Sequence, residues 1–233
     1  MPDSRRIQKL LSILRTTYPD VKTQLHHENA FQLLVATILS AQCTDRQVNQ
    51  VTDKLFQIFK TPADFAGADI LSLEDMIRST GYFRNKARHI QQCAQKLIQD
   101  FDAVVPDTIE ELVRLPGVGR KTANVVLSAA FGKPGVVVDT HVGRISGRLG
   151  LTQHTQPVKI ELDLMKVIPK KNWADFCLQL IYLGRETCLA RRPRCIPCPL
   201  RQLCPFPGRV ASVSVDAGVT HPVKSKKKYS GNG

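Results

Sequence analysis

Apolar residues recur along most of the chain at intervals of three and four, the spacing of a helix with one buried face. Ile7, Leu10, Leu11 and Leu14 form the first such stripe, closed by Pro19. Phe31, Leu34, Val35 and Ile38 form a second behind Asn29, a residue suited to cap it, and Val48, Val51, Leu55 and Ile58 form a third. Thr61-Pro62 marks a connection, and Ser72 opens a short helix with Leu73, Met76 and Ile77 that Gly81 closes. Ala87, Ile90, Ala94 and Leu97 continue the series. Thr108, with Glu111 three residues on, starts a helix showing Leu112 and Leu115; Ala123, Val126, Leu127 and Ala130 build the next, which stops at Gly132 and Pro134. Further stripes carry Val142, Ile145 and Leu149, then Val158, Leu162 and Met165, then Trp173, Phe176, Cys177 and Leu180 up to Gly184. Val136-Val137-Val138 is a short apolar run, and no period-two strand pattern stands out. The pattern predicts an all-α fold of about ten helices of ordinary length.

Between helices lie three segments that carry chemistry. Leu115-Pro116-Gly117-Val118-Gly119-Arg120-Lys121-Thr122 reads as a tight hairpin whose outgoing helix has a lysine in its first turn. Pro116 fixes φ on entry, and the glycines let the backbone turn sharply and approach a bulky group. A helix start leaves N–H groups unpartnered, so a phosphate suits this place, with Arg120 adding charge. A plain turn between packed helices is the ordinary alternative. A nucleotide P-loop is excluded, because Arg120 and Leu115 stand where it needs glycines. Gln42 lies at a corner in Leu39-Ser40-Ala41-Gln42-Cys43-Thr44-Asp45, where a glutamine is ordinarily a solvated loop residue. At a second corner, Tyr82 and Phe83 stand beside Arg84 and Lys86, an arrangement that can wedge into a base stack while its charges hold the backbone, although Phe83 fits a core position better. Asp139, in Asp139-Thr140-His141, is placed to cap the helix that follows, which alone would explain an aspartate there.

Composition sharpens the choice of partner. The 233 residues hold 33 Lys and Arg against 20 Asp and Glu, a formal net charge of +13 that points to a polyanion. No run of about 18 apolar residues is present to cross a bilayer, and Met1-Pro2-Asp3-Ser4-Arg5-Arg6 lacks the apolar core of a secretory signal. The expectation is an intracellular protein whose seven cysteines are thiols or metal ligands.

Four of those cysteines, Cys188, Cys195, Cys198 and Cys204, fall within 17 residues at spacings of six, two and five. Four thiols so close argue for a metal site. Zinc sites usually pair two short Cys-x-x-Cys knuckles and this run has one, whereas iron–sulfur clusters accept irregular runs; spacing alone leaves both open.

The hairpin string, Leu39 to Asp45, Val138-Asp139-Thr140-His141 and the cysteine spacing together resemble the endonuclease III family of bifunctional, helix-hairpin-helix DNA glycosylases, over about residues 1 to 207. The resemblance implies two helical domains: a six-helix barrel over 22–133, and an iron–sulfur domain joining 1–21 to 134–208, with the active cleft between them. It implies a [4Fe–4S] cluster on the four cysteines, and a cluster-stapled loop presenting Arg191, Arg192 and Arg194 to phosphates; a redox-sensing use of the cluster fits the same residues. It maps the nucleophile onto Lys121 and the essential carboxylate onto Asp139. Gln42 and Tyr82 match the positions that fill the space left by an extruded nucleotide, with Tyr82 standing where relatives can carry an aliphatic residue. The hairpin residues Gly117, Val118, Gly119, Arg120 and Thr122, and also His141 and Arg144, match DNA contacts. His26, His27, His89 and His154 are expected at the surface.

A free lysine of pKa near 10.4 is neutral in about one copy in 2,500 at pH 7, so a nucleophilic Lys121 needs desolvation and nearby positive charge such as Arg120. Asp139 then serves as proton acceptor or stabilises positive charge on the sugar. The expected activity is removal of oxidised pyrimidines from duplex DNA, followed by β-elimination on the 3′ side, by a monomer of cytoplasmic, nucleoid-associated, prokaryotic type. The rivals are a monofunctional mismatch or adenine glycosylase, against which Lys121 speaks, and a non-catalytic DNA-binding module. Residues 209–233, with Lys224-Ser225-Lys226-Lys227-Lys228, read as a flexible basic tail or a plain solvated terminus.

Overall fold

The computed structural model describes residues 3–206, so the 209–233 tail lies outside the described residues. Eleven α-helices follow one another: α1 (Ser4–Thr17), α2 (Ala30–Leu39), α3 (Asp45–Ile58), α4 (Pro62–Ala66), α5 (Ile70–Ile77), α6 (Phe83–Phe101), α7 (Ile109–Leu112), α8 (Arg120–Phe131), α9 (Thr140–Arg148), α10 (Pro157–Val167) and α11 (Trp173–Glu186). Short 3-10 turns occupy Arg78–Thr80, Lys170–Asn172 and Arg201–Leu203. Among the described residues there is no strand, and the fold is all-α.

Side-chain caps set many of the helix starts. Asn29, Thr44, Asp69, Thr108 and Asp139 each accept a hydrogen bond from an N–H of the first turn they precede. Thr61 and Asp64 cap α4 reciprocally around Pro62. The helix expected to open at Ser72 begins earlier, because Asp69 takes both the Ser72 N–H (2.9 Å) and its hydroxyl (2.8 Å).

Two apolar clusters organise the helices. The first runs from Leu25 to Leu127 and is centred on α2, which is buried along its length from Phe31 to Leu39. The second joins α1 to α9, α10 and α11 through Val136, Val137 and Val138. Val125 of α8 packs against both.

Three further expectations change, the first at Ile58, which ends the α3 stripe but is 62% exposed. Gly184 does not end α11, which continues to Glu186; the glycine is buried inside it. In α10 the buried positions are Ile160, Glu161 and Leu164, while Val158, Leu162 and Met165 are exposed. Periodicity finds that helix but not its inner face, because a carboxylate occupies part of it.

Candidate active site

The hairpin joins α7 to α8. Gly117 has φ +76°, and a Cβ there would lie 2.8 Å from the Cβ of His89, so conformation and space both exclude a side chain. His89 is exposed as expected, but it also forms the floor of this turn. Val118 turns inward and is buried, its N–H donating to Leu115 O at 3.1 Å. Gly119 is the N-cap of α8 and supplies no capping side chain, so the first-turn N–H groups next to Lys121 and Thr122 keep the electropositive character of a helix start.

Lys121 is exposed, one residue into α8, so the desolvation expected of it is not supplied by the protein alone and has to come from bound substrate. Asp139 is half-buried at the start of α9, its Oδ1 accepting from Val142 N–H at 2.8 Å. Both line one cavity of about 450 Å³, whose walls include Ser40, Asp45 and Val125 on one side and Leu178, Tyr182 and Arg185 of α11 on the other. The cavity lies where the two apolar clusters meet. Two polar contacts cross it: Arg185 Nη2 donates to Asp45 Oδ2 at 2.6 Å, and Gln24 Nε2 donates to the Tyr182 hydroxyl. Nothing local in the sequence signals the first of these, since the partners are 140 residues apart.

Arg120 is not a free cation beside Lys121. Its guanidinium holds the buried Glu161 of α10 at two points, Nη2 to Oε1 at 2.5 Å and Nε to Oε2 at 3.1 Å, and this bond holds the Arg120 proton still more firmly than usual. Arg144 is likewise engaged inside the protein. Its Nη2 donates to Cys188 O at 2.9 Å and Gly184 O at 3.3 Å, and lies 3.2 Å from His141 Nδ1. Gly184 is small because His141 occupies the space beside it, with His141 Cβ and Cγ 3.0 Å from where a Cβ would stand. Burial lowers the His141 pKa, with Arg144 and Arg185 adding to the effect and Asp139 opposing it.

The two corners share an unusual backbone. Gln42 (φ 53°) and Tyr82 (φ 49°) are non-glycine residues in the left-handed region, and both are exposed, Tyr82 by 65%. Phe83 is half-buried against the first apolar cluster, between Arg78 and Arg84. Lys86, expected as a surface charge at this corner, is buried, and its ammonium donates to Leu39 O at 2.8 Å and Thr80 O at 2.7 Å.

Arg191, Arg192 and Arg194 are all exposed on the loop after α11. The loop is held at its root by Arg194 N–H donating to Thr187 O (2.9 Å) and by Arg148, which donates to Cys188 Sγ (3.1 Å), Leu189 O (2.8 Å) and Ala190 O (2.9 Å). Cys188, Cys195, Cys198 and Cys204 all border one small cavity. As placed, no three His, Cys, Asp or Glu side chains among the described residues converge on a single-ion site. Burial, reinforced by the neighbouring thiols, raises the pKa values of Cys198 and Cys204. Cys198 and Cys204, which resist ionising, are donors that a bound cationic group would stabilise as thiolates.

A family model described as HhH-GPD superfamily base excision DNA repair protein matches residues 35–170. Endonuclease III of Synechocystis sp. is 52% identical over 202 residues, which is 86% of this chain and 92% of that protein. The chain belongs to the endonuclease III family. It is therefore a base-excision DNA repair enzyme, a DNA glycosylase and abasic-site lyase. Endonuclease III of Bacillus subtilis is 45% identical over 205 residues, 88% of this chain and 94% of that protein. Among solved structures, a trapped endonuclease III–DNA covalent intermediate superposes with a TM-score of 0.86 at 44% identity, covering 91% of this chain and 100% of that one. The endonuclease III family carries a [4Fe–4S] cluster. No helix among the described residues is long and apolar enough to cross a membrane.

Proposed function

We propose that this chain excises oxidised pyrimidines from duplex DNA and cuts the strand 3′ to the vacated sugar, with Lys121 as nucleophile and Asp139 as its acidic partner. The observation that carries the reading is the shared cavity of Lys121 and Asp139 at the meeting of the two apolar clusters. The covalent endonuclease III–DNA intermediate solved for a relative supports a covalent course.

In the first step the Lys121 amine nitrogen bonds to the sugar carbon that carries the base, and the bond from that carbon to the base breaks, the base leaving with the electron pair. Opening of the sugar ring gives a Schiff base, with amine protons passing to Asp139 or solvent. Loss of a proton from the adjacent carbon then expels the 3′ phosphate, and water releases the lysine. Asp139 has one carboxylate oxygen committed to Val142 N–H, which fixes its orientation while the other oxygen serves as proton acceptor or faces the developing positive charge.

Binding divides among four groups of residues. The hairpin, through Gly117, Val118, Gly119, Arg120 and Thr122, grips the backbone near the lesion, with Arg120 and Val118 acting by shaping the turn. His141 and Arg144 support the far wall, and Arg191, Arg192 and Arg194 hold phosphates. Gln42 and Tyr82 fill the stack where the nucleotide has left it. We assign the first apolar cluster to a barrel domain over 22–133, which holds the seven helices α2 to α8 where six were expected, and the second to a cluster domain formed by 1–21 and 134–208.

Cys188, Cys195, Cys198 and Cys204 would hold the [4Fe–4S] cluster. When bound, it supplies iron–thiolate bonds that fix the arginine loop before DNA arrives, which removes an ordering cost from binding.

The test is strand cleavage of duplex DNA carrying an oxidised pyrimidine. Wild type should release the base and leave the 3′ end produced by β-elimination, and Lys121→Ala should do neither. Nicking by a folded Lys121→Ala protein would refute the assignment.

A further inference from the structure

We propose that Lys86 is a positioning residue that sets the two wedge corners at the spacing required to extrude a nucleotide from a duplex. The proposal rests on the reading of Gln42 and Tyr82 as the residues that fill the stack.

The geometry is specific. Lys86 is 4% exposed, and its ammonium bonds to two carbonyls, Leu39 O at 2.8 Å and Thr80 O at 2.7 Å. Leu39 is the last residue of α2 and lies three residues before Gln42; Thr80 is the last residue of the Arg78–Thr80 turn and lies two before Tyr82. One cation therefore caps the C-terminal ends of two helical segments just ahead of both corners, where exposed carbonyl dipoles favour positive charge. No carboxylate pairs with it among the described residues.

A buried lysine is costly, and burial pulls the Lys86 pKa down. Packing alone would be met by an aliphatic side chain. What an aliphatic chain cannot do is hold the two carbonyls to a common point. Both corner residues sit in left-handed backbone, a conformation that persists where the surroundings over-determine it. Lys86 is the part of those surroundings that the corners share. A second bond, Gln47 Nε2 to Ser79 Oγ at 2.8 Å, ties the same two regions at the surface.

Such a residue acts on extrusion and not on bond making at Lys121. A single-stranded abasic site needs no extrusion, so the ratio of duplex to single-strand cleavage separates the two. The experiment measures single-turnover cleavage of an abasic site in duplex and in single-stranded form for wild type, Lys86→Met, Lys86→Arg, Gln42→Ala and Tyr82→Ala. It adds the fluorescence of 2-aminopurine placed beside an uncleavable abasic analogue as a report of unstacking.

Lys86→Met should lose about tenfold on the duplex and stay within about twofold on the single strand, with a weakened fluorescence rise. Lys86→Arg, which keeps two donors, should recover most of both. Equal losses on the two substrates, or no loss on the duplex, would overturn the proposal. If Lys86→Met does not fold, Lys86→Gln takes its place with the same ratio required. Duplex-selective loss in Tyr82→Ala and Gln42→Ala but not at Lys86 would reject the lysine's role and keep the wedge. Its absence in both corner variants would reject the wedge reading and this proposal with it.

Discussion

Arg120 and Glu161 form a two-point ion pair that joins the residue immediately before Lys121 to α10, with Nη2 to Oε1 at 2.5 Å and Nε to Oε2 at 3.1 Å. The same carboxylate accepts from Asn124 Nδ2 at 3.3 Å, and Asn124 Nδ2 donates to Val136 O at 3.1 Å. Val136 is three residues before Asp139. A continuous polar path therefore runs from the helix that carries the lysine to the extended segment that carries the aspartate.

The pair is asymmetric, since the Arg120 side chain is 44% exposed and that of Glu161 only 7%. Arg120→Ala strands a buried carboxylate and should cost about 1–3 kcal/mol, less than a fully buried pair because solvent reaches one side. Glu161→Gln leaves an arginine that can turn to water and keeps an acceptor for Asn124, so it should cost less. Denaturant unfolding of both variants checks the order.

Gly117→Ala meets two penalties, a left-handed backbone and a Cβ 2.8 Å from that of His89. A destabilisation of about 2 kcal/mol is expected, part of it from φ alone. His89→Ala cannot relieve the Cβ contact, so the double variant should recover little, whereas His89→Gly should recover the steric part and leave the conformational part. Thermal unfolding of the three proteins separates the two contributions.

Much of this arrangement is legible in the residues themselves. Asn29, Thr108 and Asp139 announce helix starts because a short polar side chain at the head of an apolar stripe has one common use. Gly184 misleads because a glycine that ends a helix and one that clears room for a ring read alike, and the ring belongs to His141, 43 positions earlier. Lys86 misleads because sequence reports charge but not burial; its acceptors are backbone carbonyls, which leave no trace in residue type. The Arg120–Glu161 and Arg185–Asp45 pairs likewise join residues with no local relationship.

His141 gives the protein a pH dependence. Burial first, then Arg144 and Arg185, lower its pKa in the folded state below the ordinary 6.5. Between those two values the unfolded chain binds the proton and the folded one does not, so stability falls as pH drops through about 6.5 and levels off below the folded pKa. The slope of melting temperature against pH over this window should flatten in His141→Gln. An unchanged slope would assign the dependence to other groups.

Arg191, Arg192 and Arg194 are exposed, and their loop leads into the cysteine cavity. Each phosphate that an arginine no longer neutralises should reduce the slope of log affinity against log salt by about 0.9. Replacing all three with alanine is expected to lower that slope by about 2–3 while leaving single-turnover cleavage at saturating enzyme near wild type. Removing iron by chelation should lower the slope in the same direction without touching the arginines, by loosening the loop that presents them. Binding titrations over a salt series read both.

Borohydride reduction of wild-type protein on duplex DNA with an abasic site, followed by mapping of the modified peptide, tests the central assignment most directly. A covalent adduct on Lys121, absent in Lys121→Ala and reduced in Asp139→Asn, is the predicted result. An adduct on another residue, or none from folded, iron-loaded protein, would contradict it.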